Sequence, residues 1–138
     1  MSEVPYLSII LPAHNEVTRL PRALQQLDAY LQQQSFQAEV IVVENGSSDG
    51  TAAVARAFAA DHPYVRVFEE TARGKGLAIK RGMLEARGEY RFFADVDFSM
   101  PVAQIGRFLP EGIAGDDIAI GSREAPGSIR YHEPWYRH

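Results

Sequence analysis

The sequence predicts an α/β fold: a mostly parallel sheet flanked by helices on both faces. Three observations lead there. Short continuous apolar runs of strand length alternate with longer segments whose apolar residues recur every three or four positions. The runs are apolar throughout, as in strands buried on both faces, rather than alternating. A polar, turn-rich cluster follows each run, which is where open α/β sheets bind ligands, beyond the carboxyl ends of their strands.

Taken in order, residues 6–11 (YLSIIL) form a buried strand expected to stop at Pro12. A helix then follows from Glu16, carrying Leu20, Ala23, Leu24, Leu27 and Leu31 on one face. Asn15 is placed as its N-cap, with Glu16 in the positive first turn. Residues 39–43 (EVIVV) are a second strand, ended by the turn cluster 45–50 (NGSSDG). The alanine-rich stretch 51–60 reads as a helix, and 64–68 as a third strand. Residues 76–86 form a third helix closed by Gly88, and 90–94 a fourth strand running into Asp95-Val96-Asp97. Pro101 can start a short helix to residue 108, and residues 118–120 are expected to be a fifth strand. The polar segments 12–16, 44–49, 71–75, 95–97 and 121–123 should then meet on one rim.

The chain has 138 residues, enough for one domain with its own core, and 46% of them are hydrophobic, so general disorder is excluded. The absence of cysteine excludes disulfides, thiolate metal sites and a cysteine nucleophile. The net charge of −4 argues against a nucleic-acid partner. Twelve of the 14 basic residues are arginine, a side chain suited to forked recognition of phosphate. No run is long enough to span a bilayer and the start lacks a signal-peptide pattern, so a cytoplasmic location is expected.

Four constellations bear chemistry. Asp95 and Asp97 are alternate residues of an extended segment, so both carboxylates can address one ligand; two solvated acids at a strand end is the plain alternative. Glu44 ends a strand without a local structural task and can accept hydrogen bonds from a base or ribose, whereas Asp49 equally suits a cap for the helix near Thr51. Arg73-Gly74-Lys75-Gly76 introduces a helix whose N-terminal N–H groups favour an anion, although it lacks the P-loop spacing. Arg123, Arg130 and Arg137 recur every seven residues, a spacing that by itself reads as three solvated side chains. No histidine pair has zinc spacing, and no serine sits in a nucleophile elbow.

Together, Ser8-Ile9-Ile10-Leu11-Pro12-Ala13-His14-Asn15-Glu16, Val42-Val43-Glu44-Asn45-Gly46-Ser47-Ser48-Asp49-Gly50-Thr51, Arg73-Gly74-Lys75-Gly76 and Asp95-Val96-Asp97 resemble family 2 inverting glycosyltransferases of GT-A fold. The stretches 73–88 and 93–101, with Gly121-Ser122-Arg123, Arg130 and Glu133-Pro134-Trp135-Tyr136-Arg137, are most similar to the polyprenyl- or dolichyl-phosphate glucosyl- and mannosyltransferase branch. The resemblance implies transfer of a sugar, glucose from UDP-glucose first, to a polyprenyl phosphate. Pro12, Ala13, Glu16, Glu44, Asp49, Arg73 and Lys75 would form the nucleotide pocket, with Asp95 at the ribose or donor sugar. Asp97 would hold Mg2+ or Mn2+, and Arg123 and Arg137 would meet phosphate. Residues 1–123 would be the donor-binding domain and 124–138 a tail toward an acceptor-side half that this length does not accommodate, leaving a chain whose activity alone is open. Exposed apolar surface left by such a cut would favour a homo-oligomer, and the aromatic, basic tail suits peripheral membrane contact. His14 stands where the family commonly has tyrosine, and Glu44-Asn45 where Asp-Asp is frequent. The alternatives are a GDP-mannose or saccharide-acceptor transferase, a non-catalytic nucleotide-sugar module, and a doubly wound fold for an unrelated nucleotide.

Overall fold

The computed structural model describes residues 4–110, 112, 115, 117–121 and 126–127. Its backbone divides into two compact units, residues 1–103 and 104–138. The first holds β1 (Leu7–Ala13), α1 (Leu20–Gln32), β2 (Ala38–Glu44), α2 (Thr51–Asp61), β3 (Val65–Glu69), α3 (Lys75–Glu85) and β4 (Tyr90–Phe93). A 3-10 helix (Val102–Phe108) begins at the junction.

The four strands form one parallel sheet in the order β3-β2-β1-β4. Right-handed crossovers from β1 to β2 to β3 carry α1 and α2 to one face, and the return from β3 to β4 carries α3 to the other. The packing agrees: α1 lies on α2, α2 on β3, and α3 on β1 and β2. Alternation along the strands divides the core accordingly. Ile10, Ile41 and Val43 form a cluster with Ala78 and Ala86, against which Phe68 and Met83 pack. The intervening Leu7, Ile9, Leu11, Val40 and Val42, all fully buried, point to the opposite face.

Two positions let α3 approach β1. A Cβ at Gly82 would fall on Cγ2 of Ile10 and lie 3.1 Å from its Cγ1, and one at Gly88 would lie 2.6 Å from Oγ and 2.7 Å from the backbone nitrogen of Ser8. Gly82→Ala is therefore expected to destabilise the fold by about 1–3 kcal/mol, the usual range for overpacking a filled core. Chemical denaturation reads it as a lower midpoint at unchanged slope.

Three sequence expectations need correction. First, β1 does not stop at Pro12 but runs to Ala13, in register with Val43 and Glu44 of β2. Proline is tolerated because of the side it faces. The carbonyls of Tyr6 and Ile10 accept the N–H groups of Tyr90 and Ala94, so Pro12 is next in the row of β1 groups facing β4. Its missing N–H ends the β1–β4 ladder while the β1–β2 ladder continues.

Second, α1 starts at Leu20, not Glu16, with Pro21 in its first turn and no side-chain cap. Asn15 has φ 51° and its side chain serves another loop, so it is not the N-cap, and Glu16 precedes the helix instead of lying in its first turn. Third, residues 118–120 are described but are not a strand; Ile118 and Ile120 are 81% and 82% exposed. An apolar run becomes a strand only with a ladder partner, which sequence period cannot supply.

Candidate functional site

The site is built where β1 and β4 part. In an open parallel sheet the crevice opens where the connections leave in opposite directions, and here they do so between these two strands. The segments after β1, β2, β3 and β4 supply its walls.

The turn after β1 is held by the segment after β2. Asn15 N–H donates to Ser47 Oγ at 2.9 Å, and Ser48 N–H donates back to Asn15 Oδ1 at 3.0 Å. Glu16 N–H donates to Thr51 Oγ1 at 2.9 Å and Val17 N–H to Asp49 Oδ2 at 3.3 Å. The other Asp49 oxygen accepts the N–H of Thr51 at 3.1 Å and also its hydroxyl. The Thr51 hydroxyl first, with the N–H groups of Val17 and Thr51, holds the Asp49 carboxyl below the usual carboxylate range. Its charge thus stabilises the start of α2 and the 14–17 turn together.

From that turn Glu16 receives Arg19 as a fork, Nε to Oε2 at 2.6 Å and Nη2 to Oε1 at 2.7 Å. Glu16 raises the Arg19 pKa above its ordinary value, and the field of Asp97 adds to the shift. Asp97 Oδ1 accepts Ser99 N–H at 3.1 Å, which folds the turn after β4. Lys75, the first residue of α3, reaches across to pair with Asp95.

These segments enclose a cavity of about 510 Å3 lined by Pro12, Ala13, His14, Glu16, Arg19, Asn45, Arg73, Gly74, Lys75, Ala78, Asp95, Val96 and Asp97. Glu16–Arg19 and Lys75–Asp95 stand on its wall as opposite-charge pairs, so a polyanionic ligand would meet Arg19, Arg73 and Lys75, and a cation Asp95 and Asp97. Among the described residues no group of three or more His, Cys, Asp or Glu could hold a metal alone. Two carboxylates fit a hard divalent ion only if a ligand's oxygens and water complete its shell.

Pro12, Ala13, Glu16, Arg73, Lys75, Asp95 and Asp97 thus share one cavity wall. Glu44 and Asp49 are not part of that wall. Glu44, read from sequence as lacking a structural task, is 5% exposed and accepts the Ser47 N–H. Its carboxylate closes the turn after β2, a local demand that the run of turn residues behind it could have signalled. Arg123 and Arg137, with Arg130, lie outside the described residues, as does Ser122 of the fifth rim segment. Sequence reasoning passed over Arg19 and Asn45. The Glu16-x-x-Arg19 spacing was the available signal for the first.

The comparisons with known proteins now become decisive. The family model described as Glycosyl transferase family 2 matches residues 8–138. The chain belongs to glycosyl transferase family 2. As a family 2 chain it is 42% identical, over 132 residues, to a dolichyl-phosphate beta-glucosyltransferase of Drosophila melanogaster, covering 85% of this chain and 40% of that protein. The chain therefore spans about two fifths of the length of the curated relatives it matches first. Among solved structures, a mannosyltransferase from Pyrobaculum calidifontis in complex with GDP-Man and Mn2+ superposes with TM-score 0.59 at 30% identity, covering 70% of this chain and 28% of that one. A glucosyl-3-phosphoglycerate synthase from Mycobacterium tuberculosis in complex with Mn2+, uridine-diphosphate and phosphoglyceric acid superposes with TM-score 0.54 at 25% identity, covering 67% and 33%. The sheet and its flanking helices are those of the GT-A fold.

Proposed function

We propose that this family 2 domain binds a nucleotide-diphospho-sugar, UDP-glucose, and serves the inverting transfer of glucose to a polyprenyl or dolichyl phosphate. The convergence of Lys75, Asp95 and Asp97 with the ends of β1 and β2 on one cavity carries this reading. The similarity to dolichyl-phosphate beta-glucosyltransferases supports the sugar and the acceptor class. In the proposed reaction an acceptor phosphate oxygen forms a bond to the anomeric carbon from the face opposite the leaving group. The bond from that carbon to the diphosphate breaks, and its electron pair leaves with UDP. A phosphate monoester is already ionised at neutral pH, so the acceptor needs little help from a general base.

This chain's residues divide that work. Pro12, Ala13 and Glu16 border the nucleoside, with Glu44 and Asp49 holding the turns behind them. Arg73 and Lys75 lie where a diphosphate gathers negative charge on departure, and Asp95 faces the ribose or donor sugar. Asp97, with its second carboxylate neighbour, fits a divalent ion, Mg2+ or Mn2+, consistent with the Mn2+ in two of the similar structures. Such an ion, when bound, neutralises charge on the leaving diphosphate. Arg123 and Arg137 are assigned to phosphate, residues 1–123 to donor binding, and 124–138 to the path toward the acceptor side. No helix among the described residues is long and apolar enough to cross a membrane. Because the proposed acceptor is a lipid phosphate, the domain is proposed to work at a membrane's cytoplasmic face by peripheral contact. Self-association into a homo-oligomer belongs to the same proposal, and sedimentation tests it.

The GDP-Man in the Pyrobaculum structure favours one second reading, a GDP-mannose donor. Calorimetric titration with UDP-glucose and GDP-mannose, each with and without Mn2+ or Mg2+, separates them. UDP-glucose is expected to bind, at least about tenfold tighter with metal. Tighter GDP-mannose would change the donor, and no binding by either would remove the proposal.

A further inference from the structure

We infer that Asn45 is a positioning residue, whose carboxamide holds the segment before α3, and with it Arg73 and Lys75, in the shape that receives the donor. Asn45 follows β2 directly and is 7% exposed. Its Nδ2 donates to the carbonyls of Glu70 at 3.2 Å and Ala72 at 2.6 Å. Its Oδ1 accepts Gly74 N–H at 3.1 Å. Its backbone N–H donates to Ala13 at 2.8 Å, and its carbonyl accepts His14 Nδ1 at 2.6 Å. One side chain therefore ties three residues of an irregular segment to the strand end that also carries the turn after β1.

The segment needs such a tie. Residues 70–74 belong to no helix or strand, and their polar backbone groups require partners beside a cavity. Gly74 has φ 136°, a conformation L side chains rarely adopt, and it sits at the N-terminus of α3. Fixing its N–H fixes where α3 begins, and Lys75 is the next residue.

A carboxamide of this length meets all three backbone groups. Both amide hydrogens and an oxygen lone pair are used at once. An aspartate keeps the acceptor but sets a negative charge against two carbonyl oxygens. Asparagine here thus clamps the segment by donors, with no added charge facing the cavity.

The assignment of the held groups to a donor rests on the proposed function, whereas the clamp itself does not, and N45D separates the two. On ligand-free protein, trypsin should cut after Arg73 and Lys75 about tenfold faster in N45D, with cleavage after Arg22 unchanged as the internal reference. For UDP-glucose, N45D should bind about tenfold more weakly at pH 7.5. It should recover part of that loss by pH 5, relative to wild type, as the introduced carboxyl takes a proton and regains one donor. A purely structural lesion would show no such recovery. Hydrogen exchange on the wild type needs no variant to fold: the Gly74 amide should exchange at least about tenfold below its intrinsic rate. An unprotected Gly74 amide, or N45D matching wild type in cleavage and binding, overturns the inference. Faster cleavage with no UDP-glucose binding by the wild type keeps the clamp and removes the donor reading.

Discussion

Asp97→Ala is expected to lower UDP-glucose affinity in Mn2+ by about two orders of magnitude, while leaving the weaker metal-free affinity within a factor of about three. Among the described residues three acidic groups line the cavity; Glu16 is engaged by Arg19 and Asp95 by Lys75, so removing the Asp97 carboxylate takes away the one with no ion pair. It also removes the acceptor for Ser99 N–H, so the alanine variant alone mixes charge with turn geometry. Asp97→Asn separates them, because a carboxamide oxygen still accepts that N–H but brings no charge. If charge matters, the asparagine variant loses most of the metal-dependent affinity while its melting temperature stays near wild type. Equal metal-dependent affinity in wild type and Asp97→Ala would end the assignment of this residue to the metal.

The second large effect concerns stability and lies at the opposite end of the sheet. Glu39 is buried in β2 and receives the Ser8 hydroxyl at 2.7 Å, Arg87 N–H at 2.7 Å and the Arg66 guanidinium at 3.0 Å. Ser8 Oγ in turn accepts Gly88 N–H at 2.8 Å. The network holds the turn between α3 and β4, which delivers β4 to its place beside β1. Glu39→Ala is expected to destabilise the protein by about 3 kcal/mol, since it strands the Ser8 hydroxyl and the Arg87 N–H and takes a charged partner from the Arg66 guanidinium. Glu39→Gln, which keeps the acceptor oxygen, should recover part of the loss.

Acid should act on the same group. Burial pushes the Glu39 carboxyl up, but the Arg87 N–H, the Ser8 hydroxyl and Arg66 together outweigh it and leave the group below its ordinary value of 4.5. The unfolded chain then binds this proton more tightly. The stability Glu39 contributes is full above its unfolded value and is lost as pH falls from there through the lower folded value. Denaturation midpoints between pH 6 and pH 3 should therefore fall more steeply for wild type than for Glu39→Gln.

Periodicity carried most of the fold because strands buried on both faces and amphipathic helices leave different patterns, and α1 buries Leu20, Ala23, Leu24 and Leu27 on the face read for it. It failed where a tertiary partner decides. Asn15 has the chemistry of a helix cap, yet the loop after β2 offered Ser47 and Ser48 as better partners, and Pro21 set the helix start instead. Residues 118–120 form a short β-branched apolar run like a strand's but do not pair as one. In the site, the motif residues at strand ends were legible because topology brings strand ends together. The division of labour among them was not. Glu44 and Asn45 are adjacent polar residues, and only the path of residues 70–74 decides which one braces the wall and which one closes a turn.

Pro12 has a consequence for how wide the site opens. Hydrogen bonds between strands work like the teeth of a zip, and the imino nitrogen of proline is the missing tooth opposite the carbonyl of Ala94. An alanine there would let the fastening advance by a notch and draw Asp95 toward β1, narrowing the mouth. The breadth available to a guest molecule is thus regulated by one absent hydrogen atom on the central strand.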